Sequence, residues 1–333
     1  MLPTYEEVSK QIAETNAWHQ LEEKRNFYIK LRNLVWIAGI AISLFGLWLF
    51  WVFFLANLDA PEDDPEGAIY AAFAFFMIVL LGVYVIWRGN QKMHKKFSYH
   101  YKKLVVPELV TNLIAQASYS TNIANARYTC QYKINEGIPL EQLQAFPLFN
   151  VIKSSDKWKG EDLFVGTLGV TDFQFANIKV WEVTEDLESK SKSIKFSGLV
   201  FLAHFNKHFE GTTVIQSRKG RYTALKVSIG SKMKTADDTF DRLFQVLTTD
   251  EKTTRYLLSD HMLKRLLALC TKFPGKRISI CLHNGMLALA IHNVDLFETN
   301  GLRPLTNGAV HNTYEEIKSV FEIIDLLNLN TRI

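Results

Sequence analysis

Two histidines four residues apart, His204 and His208, have the spacing that could hold a metal ion. On a helix this spacing would place both imidazoles on one face, and Phe201, Phe205 and Phe209 repeat with the same period. No H-E-x-x-H pattern accompanies the pair, and the sequence indicates no third ligand. We therefore expect a surface or capping role for these histidines, with metal binding as the alternative.

A second group of soft ligands lies on a predicted β-hairpin. Cys281 and His283 alternate along one strand, so they share a face, and His292 follows on the partner strand. The three side chains could gather around a metal. Any alternating strand pattern gives the same spacing, so we expect these residues to be structural.

Glu161 and Asp162 follow Gly160 and form the candidate acid–base pair, since two carboxylates in one cleft can separate their pKa values. An acidic pair after glycine is also typical of a solvated turn, which is our expectation here. The chain contains no glycine-rich phosphate loop, G-x-S-x-G, kinase signature or dinucleotide fingerprint. The sequence therefore does not support an enzyme, and we expect no cofactor.

A basic segment without acidic residues is the candidate interaction surface. Its six cations are Arg218, Lys219, Arg221, Lys226, Lys232 and Lys234. Near an anionic leaflet each cation contributes about 1 kcal/mol, so the segment could hold the domain against lipid. A solvated loop is the alternative, and nucleic acid is not favoured because Tyr222 is the segment's one aromatic residue.

Two long uncharged stretches near the N-terminus must determine where the candidate residues lie relative to a membrane. They cover residues 34–58 and 67–87, and a helix of about 20 apolar residues crosses a hydrocarbon core. Because neither stretch contains Asp, Glu, Lys, Arg or His, a proton relay, voltage sensor or single-copy transport path is not expected. We predict an anchor made of two transmembrane helices.

Flanking charge predicts the orientation of this anchor. Lysines and arginines precede the first span and follow the second, whereas the connecting loop 59–66 carries five acidic residues and no cation. The positive-inside rule then places both chain ends in the cytoplasm and the loop outside.

Small residues four apart occur in both spans, as Gly39 and Ser43 and as Ala68 and Ala72. This spacing lets helices approach closely, so the hairpin could pack on itself or on a second copy. A channel would need several copies and pore-lining polar groups, for which Ser43 alone is poor material.

The sequence predicts four regions: an N-terminal helical arm (1–33), a transmembrane hairpin (34–88), a juxtamembrane helix (89–125) and an α+β domain (126–333). Short segments with period-two alternation predict strands at 128–134, 163–168, 173–183, 194–205, 212–215 and 225–229. A further hairpin is predicted around Asn284-Gly285, and helices at 250–259, 260–270 and 313–329. A capping box of Thr313 and Glu316 is expected to open the last of these helices. The predicted fold is a mostly antiparallel sheet with packed helices on one side.

Composition is consistent with this assignment. Three widely spaced cysteines without a C-x-x-C pair are typical of a reducing cytosol, where thiols serve as small apolar residues. The formal net charge of +4 is mild and by itself does not indicate nucleic acid.

Several sequence blocks follow the two spans: G-E-D-L-F-V-G (160–166), F-S-G-L-V-F (196–201), F-N-K-H-F-E-G-T-T-V (205–214), F-D-R-L-F-Q-V (240–246) and R-Y-L-L (255–258). With the spans, they resemble the bacterial membrane proteins grouped as domain of unknown function 3137, over most of the chain. The resemblance implies two N-terminal transmembrane helices and a cytoplasmic domain. It implies no specific activity.

The leading hypothesis is a non-enzymatic module of the bacterial inner membrane whose cytoplasmic domain binds a protein partner or the anionic lipid surface. One alternative is a membrane-tethered enzyme with a site near Glu161 and Asp162 or near His204 and His208. Another is an oligomeric channel or transport accessory.

Overall fold

A computed structural model describes residues 4–8, 15–56, 65–117, 126–186, 189–205, 207, 209–218, 225, 227–297, 302 and 307–330. The chain divides into two compact units. One comprises Ala13–Leu104 with Thr299–Thr306, and the other comprises Met1–Ile12, Val105–Glu298 and Asn307–Ile333.

The first unit contains one long helix and most of a second, whose last residues, from Val105 onward, belong to the other unit. Helix α1 spans Asn16–Ala56, and helix α2 begins at Pro65 and continues to Ala117 without interruption at Pro107. Both are long and apolar enough to cross a membrane. Their most apolar windows are only 11% and 6% buried, whereas the core helix of a soluble protein would be mostly buried.

Close approach of backbones brings α1 and α2 together. A side chain at Gly82 would collide with Ser43 and with the carbonyl oxygen of Gly39, and the Ser43 hydroxyl donates to the carbonyl oxygen of Val79 at 3.3 Å. The predicted pair of Gly39 and Ser43 therefore lies at this contact, while Ala72 is exposed. Sequence reasoning missed the glycines that recur there at Gly46, Gly82 and Gly89.

The second unit is an α+β domain built on one antiparallel sheet, which confirms the predicted fold class. Nine strands lie in the order β1-β2-β3-β4-β9-β8-β5-β7-β6 among the described residues. Their bounds are Arg127–Lys133, Lys157–Gly169, Thr171–Asp186, Ser189–His204, Thr212–Ser217, Ser231–Met233, Phe244–Thr248, Ile278–His283 and Met286–His292 for β1 to β9. The helices are α3 Leu140–Gln144, α4 Asp238–Leu243, α5 Glu251–Leu257, α6 Asp260–Lys272 and α7 Asn307–Leu326.

Helical segments cover both faces of this sheet, so the expectation of helices on one side was wrong. On one face, Leu143 of α3 and Phe149 of a 3₁₀ turn (Pro147–Phe149) pack in a core cluster with Val180 of β3. We call this the core face. On the other, the helix face, Phe173 of β3 packs edge-on against Phe321 of α7, with ring centroids 5.6 Å apart.

Three local predictions also need correction. Leu225 and residues 227–229 do not form a strand; Leu225 is buried and its carbonyl oxygen accepts a hydrogen bond from Gln216, so a non-strand segment fills this part of the core. Helix α7 begins at Asn307 rather than at Thr313. Glu316, predicted to close a capping box, instead accepts the backbone N–H of Phe297 at 2.8 Å.

Candidate functional site

Alternation along β3 places five residues in a row on the helix face: Phe173, Phe175, Asn177, Lys179 and Trp181. The first two are buried beside Phe321. Asn177 is still buried, but Lys179 is exposed and Trp181 is half-buried. The buried part of the helix face therefore ends at Asn177, and the part of β3 that follows is at least partly open to solvent.

A cleft of about 520 Å³ occupies this open surface, and we call it the β3–β4 cleft. Its lining comprises Lys159 and Glu161 of β2, Asn177, Ile178, Lys179 and Trp181 of β3, Lys192, Ile194, Ser197 and Gly198 of β4, and Val294 and Asp295 after β9. The floor is thus formed by strands β2, β3 and β4, and the connection after β9 forms one wall.

Two lysines of the cleft lie directly opposite each other, because Lys159 pairs with Lys179 across β2 and β3. Like charges at this position destabilise a sheet unless an anion compensates them. Glu161 compensates Lys159, with 2.6 Å between the amine and carboxylate atoms. Within the described residues, Lys179 and Lys192 have no carboxylate in ion-pair range. Among the described residues, the cleft therefore presents two cations without an ion-pair partner.

An apolar pair lies beside these cations. Trp181 of β3 is directly opposite Ile194 of β4, and 59% of the Ile194 surface is exposed. Burial of this pair against a ligand would contribute about 25 cal/mol of binding free energy for each Å² of apolar surface removed from water. Charge and apolar surface together suit an acidic ligand with an apolar portion.

A buried carboxylate supports the inner end of the cleft. Asp162 is fully buried at a bulge of β2, with a backbone φ of 59°. Its carboxylate accepts hydrogen bonds from the Tyr132 hydroxyl at 2.5 Å and from the Asn177 amide at 3.3 Å. Burial, and then the Asp162 charge and hydrogen bond, raise the pKa of Tyr132 far above its usual range. Tyr132 therefore stays a neutral donor.

Asn177 transmits this support to the cleft wall. Its amide nitrogen donates to the carbonyl oxygen of Leu296 at 3.1 Å, and its oxygen accepts the Leu296 N–H at 3.2 Å. The paired bonds hold the connection that carries Val294 and Asp295. A side chain that is bonded on both sides and buried is a rigid support.

The base of the β3–β4 hairpin is fixed on the core face. Lys195 is the extra residue of a bulge in β4, and its amine lies 2.9 Å from both oxygens of the buried Asp156 and 3.5 Å from Glu182. This ion pair is poorly exposed. The hairpin therefore leaves the sheet in a defined direction.

The predicted acid–base pair is not assembled as one site. Glu161 lines the cleft and pairs with Lys159, whereas Asp162 is buried against Tyr132 and Asn177. The expectation of a solvated acidic turn was also wrong, because both residues belong to β2. The bulge separates the two side chains and turns the second inward.

The first histidine of the predicted pair is not on a helix. His204 is the exposed last residue of strand β4, and His208 lies outside the described residues. In the part of the chain that is described, no group of three metal-ligating side chains occurs. The i, i+4 argument therefore does not apply at His204.

The two histidines among the three candidate ligands of the β8–β9 hairpin are far apart. His283 pairs with Met286, six residues along β9 from His292, which amounts to about 20 Å. His283 contacts the Thr212 hydroxyl at 2.7 Å through Nδ1, and His292 packs edge-on against Phe196. Burial raises the pKa of the Cys281 thiol to about 12, so it is a protonated core residue.

The basic segment is described only in part, since Lys219, Arg221 and Lys226 lie outside the described residues. Arg218 donates through Nε to the carbonyl oxygens of Asp241 and Phe244, both at 2.8 Å. Arg218 therefore has a structural role. Lys232 and Lys234 are exposed at and beside the edge strand β6, and whether the six cations share one face stays a prediction.

Sequence reasoning missed the β3–β4 cleft, although one signal was present. The alternating residues from Phe173 to Trp181 change from aromatic to polar at Asn177 and Lys179 within one predicted strand. Such a change indicates where a covered face becomes open.

Residues 194–329 match the family described as "Protein of unknown function (DUF3137)". This match confirms the resemblance over residues 194–329. The block at 160–166 and the strands β1 to β3 lie before the matched segment.

The crystal structure of the mycobacterial trehalose monomycolate transport factor A, TtfA, shows a remote similarity. The alignment covers 68% of this chain and 97% of that one at 11% sequence identity, with a TM-score of 0.35. None of the curated proteins matches the chain.

Proposed function

We propose that this chain is a membrane-anchored, non-enzymatic binding module. Helices α1 and α2 cross the bacterial inner membrane as a hairpin, and the α+β domain binds a partner in the cytoplasm through the β3–β4 cleft. One observation carries the proposal: two helices of spanning length expose their apolar windows, with 11% and 6% buried, in the same chain as a folded domain with a supported cleft. Lipid is the solvent that suits such helices.

Charge supports the orientation within the membrane. Both ends of the helical hairpin carry lysine and arginine, and the connection 59–66 carries only acidic charges. Short flanks rich in lysine and arginine are retained in the cytoplasm. The α+β domain follows the second helix, so it lies on that side.

The contacts of the candidate catalytic residues favour binding over catalysis. Glu161 compensates a lysine, and Asp162 holds the support of the cleft wall. A general acid or base needs access to substrate, and Asp162 has none because it is fully buried. Both carboxylates therefore serve to shape and support the cleft.

Cysteine labelling tests the membrane arrangement. In intact cells, a membrane-impermeant maleimide should label D63C from outside, whereas K252C on α5 should react only after permeabilisation. The parent chain, with its three native cysteines, controls for background. Extraction of the chain by alkaline carbonate, or reaction of both positions on the same side, would contradict the arrangement.

Site-specific photocrosslinking tests the use of the cleft. A benzoylphenylalanine residue in place of Ile194 should form a crosslinked product in native membranes, because this side chain is exposed beside the cleft cations. The same residue in place of the exposed Lys264 on α6 is the matched control. Equal crosslinking at both positions, or none at Ile194, would refute binding through the cleft.

A further inference from the structure

Among the described residues, strand β4 has a partner along only part of one edge. From Gly198 to His204 it pairs with β9, and Asn293 closes this ladder by donating its N–H to the carbonyl oxygen of Ser197 at 2.7 Å. The chain then turns away at Asn293, where φ is 54°. Among the described residues, no strand pairs with this edge of β4 between Ser189 and Phe196.

This open edge is long enough to bind a peptide. Eight residues of strand extend over about 26 Å, and every second residue directs its N–H and C=O toward a given edge. An extended peptide can add to such an edge, with main-chain hydrogen bonds giving affinity and side-chain contacts giving specificity.

The charge pattern of the β3–β4 hairpin indicates which peptide would fit. The segment 189–195 of β4 contains lysines at positions 190, 192 and 195, whereas the segment 182–186 of β3 contains acids at positions 182, 185 and 186. Backbone register places Glu185 opposite Lys190. Strand β4 is therefore rich in lysine where it pairs with the acid-rich end of β3, and among the described residues no strand pairs with its other edge there.

The cleft beside the open edge points to the same chemistry. Lys192 of β4 and Lys179 of β3 both line it, without a carboxylate in range in the described parts of the chain. Trp181 and Ile194, which lie opposite each other in the same cleft, offer an apolar surface to a ligand. Lysines alone could serve to prevent strand edges from aggregating, but that role does not account for the exposed apolar pair.

We propose that an acidic segment of a partner protein binds in extended conformation to the open edge of β4, continuing the ladder where β9 ends. Its acidic side chains contact Lys179 and Lys192, and an apolar side chain packs on Trp181 and Ile194. This inference rests on the proposed binding function and specifies the ligand of the same cleft.

Fluorescence anisotropy of the full-length chain in detergent micelles provides the test. The probe is a fluorescein-labelled peptide of sequence Glu-Val-Glu-Ile-Glu-Val-Glu. We expect salt-sensitive binding that the double variant K179E/K192E weakens at least about tenfold, since reversal creates like-charge contacts. The control K252E/K264E changes the net charge equally at exposed positions away from the cleft and should bind as the parent does.

Peptide variants test strand addition without altering the protein. Methylation of alternate peptide nitrogens blocks the main-chain donors of one peptide edge. One of the two alternate methylation patterns should abolish binding and the other should leave it. Equal binding of both methylated peptides, or equal loss in K179E/K192E and K252E/K264E, would overturn the inference.

The two proposals fail in different ways. If a benzoylphenylalanine at position 194 crosslinks a partner but the acidic peptide does not bind, the binding function stands and the acidic-strand inference falls. Crosslinking of position 194 to a second copy of this chain, or binding of the chain to phosphatidylglycerol vesicles that depends on Lys179 and Lys192 while the peptide does not bind, would likewise overturn it.

Discussion

The hydrogen bond between Tyr132 and Asp162 offers the sharpest test of how the cleft is supported. The hydroxyl and carboxylate oxygens are 2.5 Å apart, and Asp162 is fully buried. The perturbation is a double-mutant cycle of Tyr132→Phe and Asp162→Asn. Asparagine retains the size of Asp162 and tolerates its positive φ, so the cycle removes charge and donor with little change of shape.

The magnitude follows from the chemistry of the bond. A hydrogen bond to a charged group contributes about 1.5–3 kcal/mol, and a buried carboxylate that loses its donor costs about as much. Asp162→Asn places an amide group near the Asn177 amide, which already donates to Asp162 at 3.3 Å, so it should cost about 1–3 kcal/mol. We expect a coupling of about 1.5–3 kcal/mol between the two changes.

Hydrogen exchange measured by mass spectrometry on the detergent-solubilised chain reports these free energies through the slowest amides of β2 and β3. Tyr256→Phe is the matched control, because Tyr256 is 62% exposed and its change should stay within about 0.5 kcal/mol. A coupling below about 0.5 kcal/mol would refute the charge-assisted bond. The amide of Leu296 should also exchange faster in Asp162→Asn if the network supports the wall.

Two further predictions concern the sheet and the helical hairpin. Burial, and then the charge of Arg277, lower the pKa of His292 from 6.5 to about 4. Between these pH values His292 is protonated in the unfolded chain but neutral in the folded chain. The free energy of unfolding therefore falls by roughly 3 kcal/mol as the pH drops from 6.5 to 4. In urea unfolding at several pH values, His292→Leu should remove that part of the slope, and an unchanged slope would contradict the assignment. Gly82→Ile should separate α1 from α2 at a cost of about 1–3 kcal/mol, because its side chain would meet Ser43. Spin-label distances across the hairpin should increase in Gly82→Ile but not in the exposed control Ala72→Ile.

Much of the fold could be predicted because its signals are local. The Asn284-Gly285 turn, with φ values of 49° and 72°, joins β8 and β9 as predicted, and His283 lies opposite Met286. Alternation likewise located β3, although the strand extends to Asp186. Local chemistry determines turns and strand faces, so one sequence suffices for them.

The candidate site depended on non-local contacts, so the sequence did not reveal it. Asp162 is turned inward by a bulge whose register is set by β3, and nothing in the order Gly160-Glu161-Asp162 distinguishes it from a solvated turn. The role of Asn177 likewise depends on Leu296, more than a hundred residues later. Predicting such contacts requires the partner as well as the residue.

The length of the β3–β4 hairpin is the feature that connects fold and proposed function. Strand β2 begins opposite Trp181, and β9 ends opposite Gly198. Five residue pairs of β3 and β4, from Glu182 to Asp186, therefore form a ribbon of two strands within the described part of the chain. Two strands alone are marginally stable in water, yet the base of this ribbon is fixed by the buried ion pair of Lys195 and Asp156. The sheet does not need this ribbon to bury its core. A third strand added to the ribbon would pair the open backbone N–H and C=O groups of β4 and bring acidic side chains to the lysines.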